Sequence, residues 1–109
     1  MEKVDFYKKR YEAMDLFYSW VDQGSEYDMA VDQGSYYSIW KDEFDEIMYY
    51  VTVASRFARG GRTLSKSFKE TLEGIIQRAR NLDLVQYGLT PYEIECFNED
   101  VMDAAGMLR

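Results

Sequence analysis

The chain contains no histidine, one cysteine and one proline, and no apolar run approaching the roughly 18 residues that a membrane span requires. Each scarcity excludes something. Without histidine there is no Cys–His pair and no Ser–His–acid arrangement, so catalysis would have to rest on carboxylates, lysine or tyrosine. The Glu-x-x-His pairs of a di-iron bundle cannot be assembled either. A lone cysteine, Cys96, rules out an internal disulfide and suits a reducing compartment. At 100° per residue it falls about 140° from the centre of its helix's apolar stripe, which reads as an incidental thiol near the surface. Charges interrupt the first twenty residues, so no signal peptide is expected. The expectation is a non-enzymatic cytoplasmic protein with no membrane partner and no cofactor.

What the chain does have is charge and aromatic surface. Over 109 residues, 13 Lys and Arg face 20 Asp and Glu, a net charge of −7. The imbalance disfavours direct nucleic-acid binding, since the bulk surface repels polyanions. It is also uneven: residues 1–50 carry −7, residues 51–83 carry +4 and residues 84–109 carry −4. Ten tyrosines, six phenylalanines and two tryptophans supply side chains that serve both cores and contact surfaces. The length fits one domain, 1–109, with a single core.

Apolar spacing predicts an all-α fold: about four helices in an antiparallel bundle-like arrangement, with a short hairpin or irregular loop at 23–38. The first helix, 2–22, looks too apolar for one neighbour. Tyr7, Tyr11, Met14, Tyr18 and Val21 form a stripe, with Phe6, Ala13, Phe17 and Trp20 beside it. Such a wide arc belongs to a central helix or to one shared with a second chain. Gly24 is the expected stop. A repeat follows, Val-Asp-Gln-Gly-Ser at 21–25 and at 31–35, too closely spaced for a solenoid unit. Asp22, Glu26, Asp28 and Asp32 are the oxygen donors around it; their spacing departs from a calcium loop after Asp28, and turn or capping roles are expected, with no metal.

The second helix is expected over 38–58, burying Trp40, Phe44, Ile47, Met48, Val51 and Ala58, with a strand at 49–53 as the competitor and Gly60-Gly61 as its end. The third begins near Thr63 or Ser65 and buries Leu64, Phe68, Leu72, Ile75, Ile76, Ala79 and Leu82. The fourth opens at Thr90-Pro91-Tyr92-Glu93, a capping threonine, a proline at the first position and a glutamate three residues after the cap. Ile94, Phe97, Val101, Ala105 and Leu108 should face inward.

Three candidate surfaces follow. Asp42, Asp45, Glu46 and Tyr49 on the second helix, with Tyr92, Glu95, Glu99 and Asp103 on the fourth, make two acidic rows that carry tyrosines. Fixed rows of negative charge can occupy a basic groove meant for nucleic acid. In size, charge and composition the chain is similar to small phage or mobile-element inhibitors of the anti-restriction and anti-CRISPR type. The resemblance implies a viral inhibitor, a nucleic-acid mimic whose partner is a basic, nucleic-acid-processing enzyme. The alternative is a homo-oligomeric adaptor or structural protein, a homodimer for instance, anchored by Phe6, Phe17 and Trp20 of the first helix. Thirdly, Arg56, Arg59 and Arg62 around the glycine pair, with Lys66 beyond, offer a possible anion site, although no phosphate-loop spacing accompanies them.

Overall fold

The computed structural model describes residues 3–22 and 42–109, with backbone alone for 19–22. Among them are four helices and no strand: α1 Phe6–Asp22, α2 Glu43–Arg59, α3 Lys66–Arg80 and α4 Pro91–Gly106. The stretch 49–53 is helical, so the competing strand does not form. The hairpin or loop expected at 23–38, the stop at Gly24, the first residues of the second helix with Trp40, the side chain of Trp20 and the donors Asp22, Glu26, Asp28 and Asp32 lie outside the described residues or side chains.

The central element is α2, a correction to one of the two places, central or shared with a second chain, that the apolar arc of the first helix allows. Every residue from Ile47 to Ser55 is buried, and α1, α3 and α4 all pack against it. A helical stretch that is largely apolar all round has to be enclosed on every side. Tyr49 and Tyr50 count toward this arc even though their hydroxyls make them look amphipathic, and burying each ring contributes about 1.5–3 kcal/mol.

Local signals set the ends. Asp42 Oδ1 accepts from Asp45 N to start α2, and Ser65 accepts from Phe68 N to start α3. Thr90 and Glu93 form a full capping box with Pro91 in the first turn of α4. Gly61 takes φ +68° after α2, where Arg62 N donates to Phe57 O and turns the chain toward α3. The core faces expected for α3 and α4 are present: Leu64, Phe68, Leu72, Ile75, Ile76, Ala79, Phe97 and Val101 are buried, while Leu82, Ile94, Ala105 and Leu108 pack against that core from its edge.

Ion pairs and ring contacts fix the helix directions. Arg78 near the end of α3 reaches Glu43 and Glu46 at the start of α2, so these two are antiparallel. Lys9 meets Asp45 near the start of α1 and α2, and Phe17 stacks edge-on against Phe57 near their ends, so these two run in the same sense. Phe44 with Tyr87, and Arg59 with Asp103, set α4 in that sense too. The short connections 60–65 and 81–90 force a reversal each; the longer span between α1 and α2 does not.

Candidate functional site: a tyrosine and arginine groove along α1

Helix α1 carries two parallel rows at helical spacing. Phe6, Arg10, Ala13 and Phe17 form the inner one: Phe6, Ala13 and Phe17 are buried, and the Arg10 guanidinium lies over the Phe6 ring. Tyr7, Tyr11, Met14 and Tyr18 form the other, and Tyr7, Tyr11 and Tyr18 remain 48%, 73% and 52% exposed. The tyrosine row is therefore not the core face, and Phe6 and Phe17, expected as possible interface anchors, are buried within this chain. Both phenylalanines are enclosed by their own chain, Phe6 against Phe97 and Phe17 against Phe57.

The tyrosine row forms one wall of a groove of about 630 Å3. Tyr7, Arg10, Tyr11, Met14, Phe17 and Tyr18 contribute from α1; Arg56, Phe57, Gly60 and Arg62 contribute from the end of α2 and the turn after it. Apolar floor comes from Met14, Phe17 and Phe57, and the Arg62 guanidinium sits 6.0 Å over the Phe57 ring. The lining joins apolar and aromatic surface to the guanidinium groups of Arg10, Arg56 and Arg62.

The electrostatics divide the arginines. Arg59, expected at the anion site, is turned away from the groove: its Nε donates to Asp103 Oδ2 (3.1 Å) and its Nη2 to Asp100 Oδ1 (3.2 Å). Arg10 lines the groove but is held from behind, with Nη2 3.1 Å from Asp100 Oδ2. Asp100 is only 2% exposed and also accepts from Ser55 Oγ (3.1 Å). A buried carboxylate with two guanidinium partners and a hydroxyl is well compensated, and it ties α1, α2 and α4 together. Of the three arginines expected around the glycine pair, Arg56 and Arg62 are the ones that give the groove its positive end. Lys66 is exposed at the start of α3 and is not part of the wall.

At the other end Tyr7 borders α4. Burial raises its pKa, and the proximity of Cys96 and Glu93 adds to the effect. Tyr92 is raised as well, chiefly by a hydrogen bond with Cys96. Cys96 is half-buried and packs at the core's edge, so it sits on the seam between α1 and α4 and not on the outer face.

The acidic rows fare differently. On α2, Asp45 is paired with Lys9 at 2.6 Å, Glu46 is paired with Arg78, and Asp42 caps its own helix. Tyr49 is completely buried, which removes it from any outer face, because α2 has no outer face at that level. Asp103 is paired with Arg59. Tyr92, Glu95 and Glu99 remain on the outside of α4, and Met102 joins them one turn on, 71% exposed. Among the described residues neither Glu95 nor Glu99 takes part in an ion pair, and no cluster of three or more Asp, Glu or Cys is placed to hold a metal ion. No helix of the described residues is long and apolar enough to cross a membrane.

Tyr7, Arg10, Tyr11, Met14 and Tyr18 were not legible as a site. The available signal was compositional: of two rows with the same period, one is built of Phe and Ala and the other mainly of Tyr, whose hydroxyl is satisfied most cheaply by water. Comparison with protein-family models, with curated proteins and with solved structures finds no match to this chain.

Proposed function

We propose that this protein is a non-enzymatic binding protein and that the groove along α1 is its working surface, taking an anionic, apolar-bearing segment of a protein partner. The observation that carries this reading is the composition of the groove wall, with Tyr7, Tyr11 and Tyr18 exposed on one side and Arg56 and Arg62 on the other. Tyrosine and arginine are, with tryptophan, the residue types enriched among those that dominate protein–protein affinity, and guanidinium groups favour anionic partners. A long polyanion would meet the whole net charge of −7, whereas a short anionic segment meets mainly the local field, within a Debye length of about 8 Å. The test is affinity capture from the native cell with the wild type and with Arg56→Glu/Arg62→Glu, quantified by mass spectrometry. A partner retained by the wild type and lost by the variant is the expected result; identical capture by the two would refute the assignment.

A second reading, the inhibitor that fills the basic cleft of a nucleic-acid-processing enzyme, is favoured by one observation: the outer face of α4 keeps Tyr92, Glu95, Glu99 and Met102 exposed. The α2 half of the expected decoy is spent on internal pairing, so this reading now rests on a single helix. Glu95→Lys/Glu99→Lys would abolish capture of a basic enzyme if it holds, and would leave capture unchanged if the groove does the binding.

A further inference from the structure

Along the outer side of α4, Tyr92, Glu95, Glu99, Met102 and Gly106 follow one another at intervals of three, four, three and four residues, which sets them in one straight stripe. At about 1.5 Å per residue the stripe is roughly 21 Å long. All five positions are exposed, Tyr92 at 66% and Met102 at 71%, while Phe97 and Val101 on the opposite side are buried. Asp100 and Asp103 of the same helix are both held by Arg59, whereas Glu95 and Glu99 take part in no ion pair among the described residues. Tyr92 is hydrogen-bonded to Cys96 one turn on, which steadies its ring at the head of the stripe. Nothing in the chain comes within 4 Å of where a Cβ on Gly106 would stand, so the foot of the stripe is open to a close neighbour.

We propose that this stripe seats a basic amphipathic helix of a partner protein, its two cations on Glu95 and Glu99 and its aliphatic side chains on Tyr92 and Met102. Alternating intervals of three and four are those at which two helices interlock side by side, crossing at about 20°. A facing helix has the same rise and stays in step along the whole stripe; an extended segment, at about 3.3 Å per residue, does not. Arginine suits the two central places best, because its planar fork meets both oxygens of a carboxylate. The apolar contacts at either end keep water from the pairs between them. A second copy of this chain is not the occupant: no helix among the described residues bears two cations four residues apart, and two bodies of net charge −7 repel. The proposal rests on the α4 face being a binding surface, the second reading above, and narrows its partner from a basic cleft to a single helix; it is independent of the groove along α1.

Amide chemical shifts of the isotope-labelled full chain, titrated with two synthetic helix-stabilised peptides, decide the matter. The matched peptide carries Leu, Arg, Arg and Leu at intervals of three, four and three on an Ala and Gln background; the other has the same composition with Leu and Arg on opposite sides. The matched peptide shifts amides of residues 92–106 and saturates below about 1 mM, and the other binds roughly tenfold more weakly or less. Glu95→Arg/Glu99→Arg, at two exposed positions, loses roughly tenfold or more of the affinity for the matched peptide and gains affinity for a version with Glu in place of Arg. The absence of saturable shifts overturns the proposal, and so does equal binding of the two peptides, which is attraction between unlike charges and nothing more. Shifts over 92–106 that grow with protein concentration alone put a second copy on the stripe and overturn it as well. If the matched peptide fails but Glu95→Lys/Glu99→Lys still loses a captured basic enzyme, the helix is wrong and the cleft reading survives. If that capture is also unchanged, both fail.

Discussion

Arg10 on α1 and Asp100 on α4 are joined by a 3.1 Å ion pair, with the carboxylate 2% exposed, and this contact links two helices whose main packing partner is α2. The same carboxylate accepts from Ser55 and Arg59, so three helices converge on one buried negative charge. The groove wall therefore inherits its geometry from an interaction behind it: Arg10 cannot swing out toward a ligand without leaving Asp100 partly unpaired.

Removing that carboxylate should be costly. Asp100→Ala strands Arg10 in a largely buried position, and losing one partner of a buried pair costs about 3–5 kcal/mol. Denaturant melts should show a loss in this range, with Asp100→Asn intermediate. A change below about 0.5 kcal/mol would mean that the network contributes nothing to the fold.

At Gly88 the backbone has φ +82°, and a Cβ there would lie 2.9 Å from Lys3 Cβ and 3.0 Å from Lys3 Cα. Gly88→Ala combines an unfavourable φ with a clash against backbone, and should destabilise by about 2 kcal/mol. The hydrogen bond from Val4 N to Tyr87 O, 3.0 Å long, should loosen with it. Hydrogen exchange at the Val4 amide reads that directly: unchanged protection in the variant would contradict the close approach.

Thr52 is 1% exposed in the middle of α2, and its hydroxyl has no hydrogen-bond partner among the described residues. Replacing it with valine keeps the β-branched shape and removes the unsatisfied group. Thr52→Val is expected to stabilise the protein by about 1 kcal/mol in thermal or denaturant melts. A loss of similar size would show that the hydroxyl is bonded in solution.

Alkaline pH should weaken the fold. The hydrogen bond to Asp45 raises the pKa of Lys9, and burial, aided by Asp42, Glu43 and Asp45, raises that of Tyr87. Both groups then hold their protons in the folded state to higher pH than in the unfolded chain. The folded protein binds more protons once pH passes the unfolded values, near 10, so stability is full below that point and falls as pH rises through the raised folded values. Melts at about pH 8 and about pH 11 should differ in this direction, and Lys9→Gln should reduce the difference. A stability that rises across the window would contradict the pairing.

Much of the architecture could be read from the sequence because its signals are local. The Thr90-Pro91-x-Glu93 start, the Ser65 cap and the stop at the glycine pair depend on a few neighbouring residues and appear as expected. The rank of the helices could not be read in the same way. Tyr49 and Tyr50 are buried, whereas Tyr7, Tyr11 and Tyr18 are exposed, and tyrosine's two-sided chemistry fits either place. Ion pairing was hidden for the same reason: Asp45 and Glu46 occupy plausible outer positions on α2, and only the approach of Lys9 and Arg78 from other helices neutralises them. A groove assembled across helices from ordinary residues leaves no motif in any one of them.

One comparison tests directly whether the tyrosine row of α1 is surface for binding and not core: the stability and partner capture of Tyr11→Ala/Tyr18→Ala beside those of Phe17→Ala. Phe17, 1% exposed, should cost about 3–5 kcal/mol when truncated. The tyrosine variant should melt within about 1 kcal/mol of the wild type and lose the captured partner. A tyrosine variant that loses stability as Phe17→Ala does, or that keeps both its stability and its partner, would contradict the account.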